Sequence, residues 1–300
     1  MKLKPGLNRK RPDTTGSGMP EFNDKRLSPP QGLSGEPMQV GVGAVAVHDA
    51  PRADAEMVTQ ALHGETLSVF EREGGYAHVQ LHRDRYVGWA RIDALSAAIY
   101  ETNHKVIALR TYAYSEPDLK SAPLFMVSLG SKLSVIGQEG RFLQLAGGGW
   151  LPEQHVAEAG IFEDDAASVA ERFLHAPYLW GGCESLGLDC TGLTRAAYLA
   201  CGVLLPRDSD MQFGWCGEAV EDWQAPDGLK RGDLVFWKGH VGIMLDSSTL
   251  LHANAWHMAV AAEPLSGAVQ RIAKIYGEPI GARRIDISSL REVEPDWLKG

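Results

Sequence analysis

The sequence predicts a three-domain protein, in which two small all-β barrels precede a larger α+β domain. Three observations predict this class. The 300 residues are too many for one ordinary domain, the first half contains an internal repeat, and the second half passes from helical patterns into short β-rich runs. The expected parts are an N-terminal arm at 1–37, a first barrel at 38–98, a second barrel at 99–158 and the α+β domain at 159–300.

The predicted arm is rich in proline, glycine, serine and charged residues, with little periodicity. Two interpretations of it stay open: the basic arm docks against the acidic C-terminal part, or it is disordered. Its first residues, MKLKPGLNRKRP, are basic but have no apolar segment behind them, so a secretory signal is not expected. No run approaches the roughly 18 apolar residues that span a bilayer.

The composition limits the kinds of binding partner and the cellular compartment that we expect. The net charge of −9 argues against nucleic acid and anionic membrane surfaces as partners. The four cysteines form no Cys-x-x-Cys pair, which argues against a disulfide framework or a zinc site; they are Cys183, Cys190, Cys201 and Cys216. Free thiols suit a reducing compartment. We therefore expect a cytoplasmic protein without metal or cofactor and without an obligate protein partner.

An internal repeat organises the first half of the chain. The segment 62–81, LHGETLSVFEREGGYAHVQL, aligns with 128–145, SLGSKLSVIGQEGRFLQL, and each copy is followed by a Gly-Trp pair, at Gly88-Trp89 and Gly149-Trp150. Short alternating runs separated by glycine-containing turns predict a small antiparallel barrel in each copy. These units resemble bacterial SH3-like domains.

The α+β domain begins with helical patterns. A helix is predicted from Asp164 to His175, and a second from Cys190 to Cys201, which ends at the glycine stop Gly202. A short third helix is expected in DSDMQF. Five β-rich runs follow Gly228; they are DLVFW, HVGIMLD, LLHAN, MAVAAEPL and AKIYGEPIGARRI. Helices followed by strands predict an antiparallel sheet.

The candidate catalytic residues are one cysteine and two histidines. Cys190 stands directly behind Asp189 at a helix start, where the helix dipole stabilises a thiolate. The other interpretation is a small buried apolar cysteine. His240 and His252 lie in consecutive β-runs, so a hairpin would place their imidazoles side by side. One could then accept the thiol proton while the other orients it.

Six motifs in this domain resemble the NlpC/p60 family of papain-like cysteine peptidases, over about 165–285. They are PYLWGG, DCTGL, LPRDSDMQ, LKRGDLVFW, GHVGIM and LLHAN, in family order. The resemblance implies a papain-like α+β fold and a triad of Cys190 as nucleophile, His240 as base and His252 as the orienting residue.

Two SH3-like domains in front of such a domain narrow the resemblance to γ-D-glutamyl-diamino acid peptidases, which act on stem peptides of murein. This implies that the helix of the nucleophile supplies an oxyanion amide, that Asp208 of the Arg-Asp-Ser turn binds the free amine of L-Ala, and that Tyr86 closes that pocket. The implied substrate-binding residues are Tyr178, Trp180, Asp189, Thr191, Asp208, Ser209 and Tyr86. For Asp208 a helix N-cap is the alternative role, and for Tyr86 a place at the solvent edge of the barrel.

The expected function is hydrolysis of the γ-D-Glu–diamino acid bond in murein-derived peptides with a free N-terminal L-Ala, which releases L-Ala-γ-D-Glu during wall recycling. Two alternatives stay open. One is a papain-like amidase or acyltransferase that uses the same triad on another acyl group. The other is a non-catalytic wall-binding module in which the barrels are the functional part.

Overall fold

A computed structural model describes residues 24–299 of the chain. Residues 1–23, and with them the larger part of the arm predicted at 1–37, lie outside the described range. Within that range no helix is long and apolar enough to cross a membrane. Two β units come first, and an α+β domain follows them.

The first β unit holds one seven-stranded antiparallel sheet in the order β3-β2-β6-β5-β4-β1-β7. Its strands are β1 (Glu36–Val40), β2 (Ala44–His48), β3 (Met57–Leu62), β4 (Thr66–Glu73), β5 (Tyr76–Leu81), β6 (Val87–Arg91) and β7 (Leu95–Ser96). Along β4, buried Leu67 and Val69 alternate with half-exposed Thr66 and Ser68, as a strand with one buried face requires.

The second β unit forms two smaller sheets, ordered β10-β9-β14-β13-β12 and β11-β8-β15. Its strands are β8 (His104–Val106), β9 (Arg110–Tyr114), β10 (Pro123–Ser128), β11 (Lys132–Leu133), β12 (Val135–Glu139), β13 (Phe142–Leu145), β14 (Trp150–Pro152) and β15 (Val156–Glu158). Each unit has its own apolar core.

The repeat corresponds to the same hairpin in both units. β4 pairs with β5 in the first unit, as β12 pairs with β13 in the second. The aligned glycines Gly74 and Gly140 form the turns of these hairpins with φ of +54° and +56°. That left-handed conformation favours glycine, which explains why the residue recurs in both copies. The prediction of an all-β N-terminal half is confirmed.

The α+β domain has a six-stranded antiparallel sheet in the order β18-β23-β19-β20-β21-β22. Its elements are α1 (Ala166–Glu171), β16 (Cys183–Glu184), β17 (Gly187–Leu188), α2 (Cys190–Ala200), α3 (Ser209–Trp215), β18 (Glu218–Ala219), β19 (Leu234–Trp237), β20 (His240–Met244), β21 (Thr249–Asn254), β22 (Ala259–Pro264), α4 (Leu265–Tyr276), β23 (Gly281–Arg284), α5 (Ile287–Leu290) and α6 (Asp296–Lys299). Helix α2 packs on β20 and β21, and α1 packs on α2.

Helix α1 is shorter than the helix predicted from Asp164 to His175. Asp165 caps it by accepting a hydrogen bond from the amide of Ala167, and it ends at Glu171. His175 has a φ of +70°, and its amide donates to the carbonyl of Val260 at 2.9 Å. This bond to β22 draws the chain out of the helix before Pro177.

The run AKIYGEPIGARRI was predicted to be β-rich, and this is wrong for its first part. Its opening residues belong to α4, and only Gly281–Arg284 forms a strand. Ala268 and Ile272, four residues apart, are buried against the sheet, which is the spacing of a helical face. Gly277, with a φ of +87°, then ends the helix.

A buried ion-pair network joins the first β unit to the nucleophile helix. Arg195 of α2 donates from Nη2 to Oδ2 of Asp84 at 2.6 Å, and Arg83 bonds both Asp84 and Glu65. All four side chains are at most 7% exposed. Removing one partner would leave a buried charge unpaired, which costs several kcal/mol. The network therefore fixes the first β unit against α2.

Candidate active site

Cys190 is the first residue of α2 and is 8% exposed. The N-cap residue, Asp189, accepts a hydrogen bond from the amide of Gly192 at 2.7 Å, which stabilises this helix start. A thiol here faces the positive end of the helix dipole, and that end favours the thiolate. The predicted helix at Cys190 is confirmed.

Asp189 and Thr191 use their polar atoms inside the protein. Asp189 accepts from the amide of Gly181 at 3.0 Å and forms an ion pair with Arg207 at 2.5 Å. Thr191 donates to Asp189 at 3.0 Å, and Arg207 in turn donates to the hydroxyl of Thr191. The structure thus brings both predicted site residues to the nucleophile, but their contacts support α2. Their role in substrate binding stays a prediction.

His240 and His252 lie on the adjacent antiparallel strands β20 and β21. Nε2 of His240 and Nδ1 of His252 are 2.8 Å apart, so the prediction that the imidazoles lie side by side is confirmed. On its other side, Nε2 of His252 lies 2.8 Å from Oε1 of Glu263 on β22. Arg271 of α4 donates to the same carboxylate oxygen. Hydrogen bonds therefore join four side chains in a row, and we call this row the relay; it consists of His240, His252, Glu263 and Arg271.

The relay determines which nitrogen of each histidine carries hydrogen. The bond to His252 lowers the pKa of Glu263, so this group is a carboxylate that only accepts. Nε2 of His252 must then donate, which leaves its Nδ1 as an acceptor. Nε2 of His240 donates to that Nδ1, and Nδ1 of His240 keeps its lone pair. This nitrogen is therefore the proton acceptor of the relay.

Burial keeps the base uncharged. Burial, followed by the charges of His252 and Arg271, holds the pKa of His240 well below its usual range. Burial also lowers the pKa of His252, against the opposing effect of Glu263. At neutral pH, both imidazoles are therefore neutral and His240 is ready to accept a proton.

The nucleophile and the relay are carried by elements that pack on each other. Helix α2 packs on β20 and β21, and Cys190 belongs to the same apolar core as Val241 and Ala253, the residues next to the two histidines. Tyr178 forms an isolated β-bridge with Leu188, two residues before Cys190, and burial and then the charges of Cys190 and Asp189 raise the pKa of its phenol.

Glu263 and Arg271 were missed in the sequence. The register pairs His252 with Ala261 and Leu250 with Glu263, so Glu263 is a diagonal neighbour of His252 on the same face of the sheet. An acidic residue two positions along the neighbouring strand was the available signal. Its use required the register of β21 against β22.

Asp208 occupies the N-cap position of α3, but its side chain makes no capping bond. Its Oδ2 instead accepts from the hydroxyl of Tyr86 at 3.1 Å and from Nη1 of Arg26 at 2.7 Å. Tyr86 is 5% exposed, so it is not a residue of the solvent edge. The structure therefore brings together Tyr86 and Asp208, from different parts of the chain. Ser209, next to Asp208, is buried at the start of α3.

Trp180 is half exposed and donates from its indole Nε1 to Oε1 of Glu56 at 3.0 Å. It therefore connects the PYLWGG loop with the first β unit. Arg26, which contacts Asp208, was not among the predicted residues. It is 182 positions from Asp208 in the sequence, and local patterns carry no information on such a pair.

A metal ion is the other ligand that these residues could hold. Ligand atoms of His252, His257 and Glu263 lie within 4.8 Å of one another. However, both ring nitrogens of His252 take part in the relay, and Arg271 binds the carboxylate of Glu263. The charge of the guanidinium opposes that of a cation, so the arrangement fits a hydrogen-bond relay better than a metal site.

A cysteine at a helix start and a histidine pair on the adjoining sheet define a papain-like cysteine hydrolase. Comparisons with known proteins agree with this class. Residues 175–273 match the NlpC/P60 family, and residues 47–95 match the bacterial dipeptidyl-peptidase SH3 domain. The chain thus contains an NlpC/P60 domain behind a bacterial SH3 domain, and it is a cysteine peptidase. The SH3 match lies within the first β unit, so an SH3-like second unit stays a prediction.

Curated relatives extend the similarity beyond the NlpC/P60 domain. Dipeptidyl-peptidase 6 of Lysinibacillus sphaericus is 28% identical over 68% of this chain and 82% of its own length. The γ-D-glutamyl-L-lysine dipeptidyl-peptidase of Bacillus cereus is 26% identical over 70% of this chain and 71% of its own. A crystal structure of an NlpC/P60 family protein from Bacillus cereus superposes with a TM-score of 0.68 at 21% identity, over 83% of this chain and 99% of that one, and shows the common fold.

Proposed function

We propose that this cysteine peptidase hydrolyses the γ-D-Glu–diamino acid bond of murein stem peptides with a free N-terminal L-Ala, and releases L-Ala-γ-D-Glu. The proposed specificity for a free amine rests on one observation. The carboxylate of Asp208 does not cap α3 and instead accepts hydrogen bonds from Tyr86 and Arg26. Relatives named dipeptidyl-peptidases, two of them for γ-D-glutamyl-L-lysine, support the same substrate class.

In this proposal, Cys190 transfers its proton to Nδ1 of His240 and attacks the γ-carbonyl carbon of D-Glu. An amide at the start of α2 donates to the oxygen, which becomes negative in the tetrahedral intermediate. The His240 imidazolium then protonates the amine of the diamino acid, the C–N bond breaks, and a thioester remains. His240 next deprotonates a water molecule, which attacks the thioester and releases the dipeptide and the thiol.

The charges around Asp208 suit an ammonium ion. Three carboxylates, from Asp24, Asp208 and Asp210, surround one guanidinium, that of Arg26, so the group keeps a charge of about −2 when all are ionised. A cation is therefore attracted to the group. The free amine of L-Ala would bind Asp208, while an N-acylated or muramyl-linked peptide offers no charge there.

We further propose that the substrates are short wall fragments in the cytoplasm, where the four buried cysteines, which form no disulfide, would persist as thiols. In the same proposal the second β unit is an SH3-like barrel, since it repeats the hairpin of the first.

Mass spectrometry of the products tests the function. The substrates are L-Ala-γ-D-Glu-meso-diaminopimelate, the corresponding L-lysine peptide, and the N-acetylated form of each. We expect free L-Ala-γ-D-Glu from the unblocked peptides, and its absence with Cys190→Ala. Another cleavage position, or transfer of the acyl group to an added amine, would favour an amidase or acyltransferase. Binding of wall fragments without turnover would favour a non-catalytic module.

A further inference from the structure

The chain segment 24–28 is docked between the first β unit and α3. The carbonyl of Arg26 accepts from the amide of Val87 at 2.9 Å, and the carbonyl of Leu27 accepts from Nε2 of Gln80 at 2.7 Å. The side chain of Leu27 is 1% exposed and packs with Tyr86 and Met211. Because both its main chain and its side chains are engaged, this segment is part of the folded structure around Asp208.

The guanidinium of Arg26 lies among three carboxylates. Nη1 donates to Oδ2 of Asp208 at 2.7 Å, and Nη2 donates to Asp210 and to Asp24, each at 2.8 Å. The side chain of Arg26 is 18% exposed, so the ion pairs are shielded more than those of a surface arginine. The guanidinium therefore fixes the position of the Asp208 carboxylate.

Other aspartates at helix starts show what Asp208 would do without this contact. Asp165, Asp189 and Asp286 are the N-caps of α1, α2 and α5, and each accepts a hydrogen bond from a helix amide, at 2.9, 2.7 and 3.0 Å. Asp208 has the extended backbone of an N-cap, with φ −101° and ψ 151°, yet its side chain does not cap α3. The bonds from Arg26 and Tyr86 hold it away from those amides.

We propose that Arg26 is a positioning residue for recognition of the free amine: it keeps Asp208 off the α3 amides, so that the carboxylate faces the ligand. Both donors reach Oδ2, and Oδ1 makes no hydrogen bond within residues 24–299. Oδ1 is then the oxygen for the ammonium. This inference rests on the proposed function, in which Asp208 binds that group.

The test measures binding without chemistry. The probe is L-Ala-γ-D-Glu, titrated by calorimetry into the full chain with Cys190→Ala, with and without Arg26→Gln. Glutamine keeps part of the length of the side chain but has no charge to hold Asp208. We expect Kd for the dipeptide to rise about ten-fold or more, the size of one charge-assisted hydrogen bond, and Kd for N-acetyl-L-Ala-γ-D-Glu to stay unchanged. Arg72→Gln is the matched control, because it removes an exposed ion pair with Glu36 within the first β unit. It should change neither Kd.

Three outcomes overturn the inference. Unchanged Kd would mean that Arg26 does not position Asp208, and tighter binding would mean that the guanidinium competes with the ammonium. Equal losses for both dipeptides would indicate general damage to the fold. If Arg26→Gln does not fold, Arg26→Lys replaces it, with an intermediate loss expected for the free amine only. In an Asp208→Asn background, the Arg26 substitution should cause no further loss.

The proposed function fails separately from this inference. If the protein with Arg26 intact binds both dipeptides equally, the amine pocket itself is refuted. If that protein prefers the free amine and Arg26→Gln keeps the full preference, only the role of Arg26 is refuted.

Discussion

His252 donates from Nε2 to Oε1 of Glu263 across 2.8 Å, from a fully buried imidazole to a carboxylate at the end of β22. The contact fixes the hydrogen positions of two histidines at once, because a carboxylate only accepts. The orienting group of the proposed triad is thus itself oriented. Arg271, which binds the same oxygen, anchors the relay to α4.

Replacing Glu263 with glutamine tests the charge of the relay. The amide oxygen still accepts from His252, but the negative charge that stabilises a protonated imidazole is lost. We expect kcat/KM on the free-amine tripeptide to fall about ten-fold, as for a loss of about 1.4 kcal/mol in stabilisation. Steady-state kinetics measure this, with Glu221→Gln, an exposed glutamate ahead of β19, as the control. Full activity of Glu263→Gln would show that the charge is dispensable.

The sequence predicted the parts of the site that depend on local pattern. Asp189 predicts the start of the helix at Cys190, and Gly202 predicts its end. The placement of the two histidines side by side follows from their positions on consecutive strands of a hairpin. The short turn supports that hairpin, since Oδ1 of Asp246 accepts from the amides of Ser248 and Thr249.

Of the parts that were missed, one depends on a contact between distant segments. Arg26 reaches Asp208 only because the segment around Leu27 packs between the first β unit and α3. The helix α4 was missed for another reason: its last residues, AKIY, resemble a strand in composition, although the four-residue spacing of Ala268 and Ile272 is helical. Tertiary packing, which the local sequence does not contain, decided the first case, whereas the second had a local signal in the spacing of its apolar residues.

The pH dependence follows from the burial of His240. Burial lowers its pKa well below 6.5, and the charges of His252 and Arg271 lower it further. The base must be neutral, and a histidine is neutral above its pKa. We therefore expect kcat/KM to stay high as the pH falls from about 7 to 6, and to decline only at lower pH. Arg271→Gln removes a positive charge, so the pKa of His240 should rise and the decline should begin at a higher pH. A wild-type midpoint at or above pH 6.5 contradicts the assignment.

The cysteines should differ in their reaction with iodoacetamide. Burial raises the pKa of Cys201 and Cys216 to about 12, so these residues are thiols at neutral pH. Cys190, at the start of α2, has the helix dipole in favour of its thiolate. We expect peptide mapping to find the label on Cys190 first, and Cys190→Ala to remove this fast phase together with hydrolysis. Equal rates at all four cysteines would count against an activated thiol.

Asp208→Asn tests the free-amine specificity by the kinetics of cleavage. A hydrogen bond to a charged group contributes roughly 1.5–3 kcal/mol, so the loss of the carboxylate charge should lower kcat/KM on L-Ala-γ-D-Glu-meso-diaminopimelate about ten- to a hundred-fold. N-acetylation of the substrate should cost the wild-type enzyme a similar factor. The two losses should not add, because each removes the same ion pair. Asp54→Asn, which alters an exposed carboxylate of the first β unit, should leave both rates unchanged. If the wild-type enzyme cleaves the free and the N-acetylated peptide at equal rates, Asp208 is no amine site, and the bonds from Tyr86 and Arg26 only join the first β unit to α3.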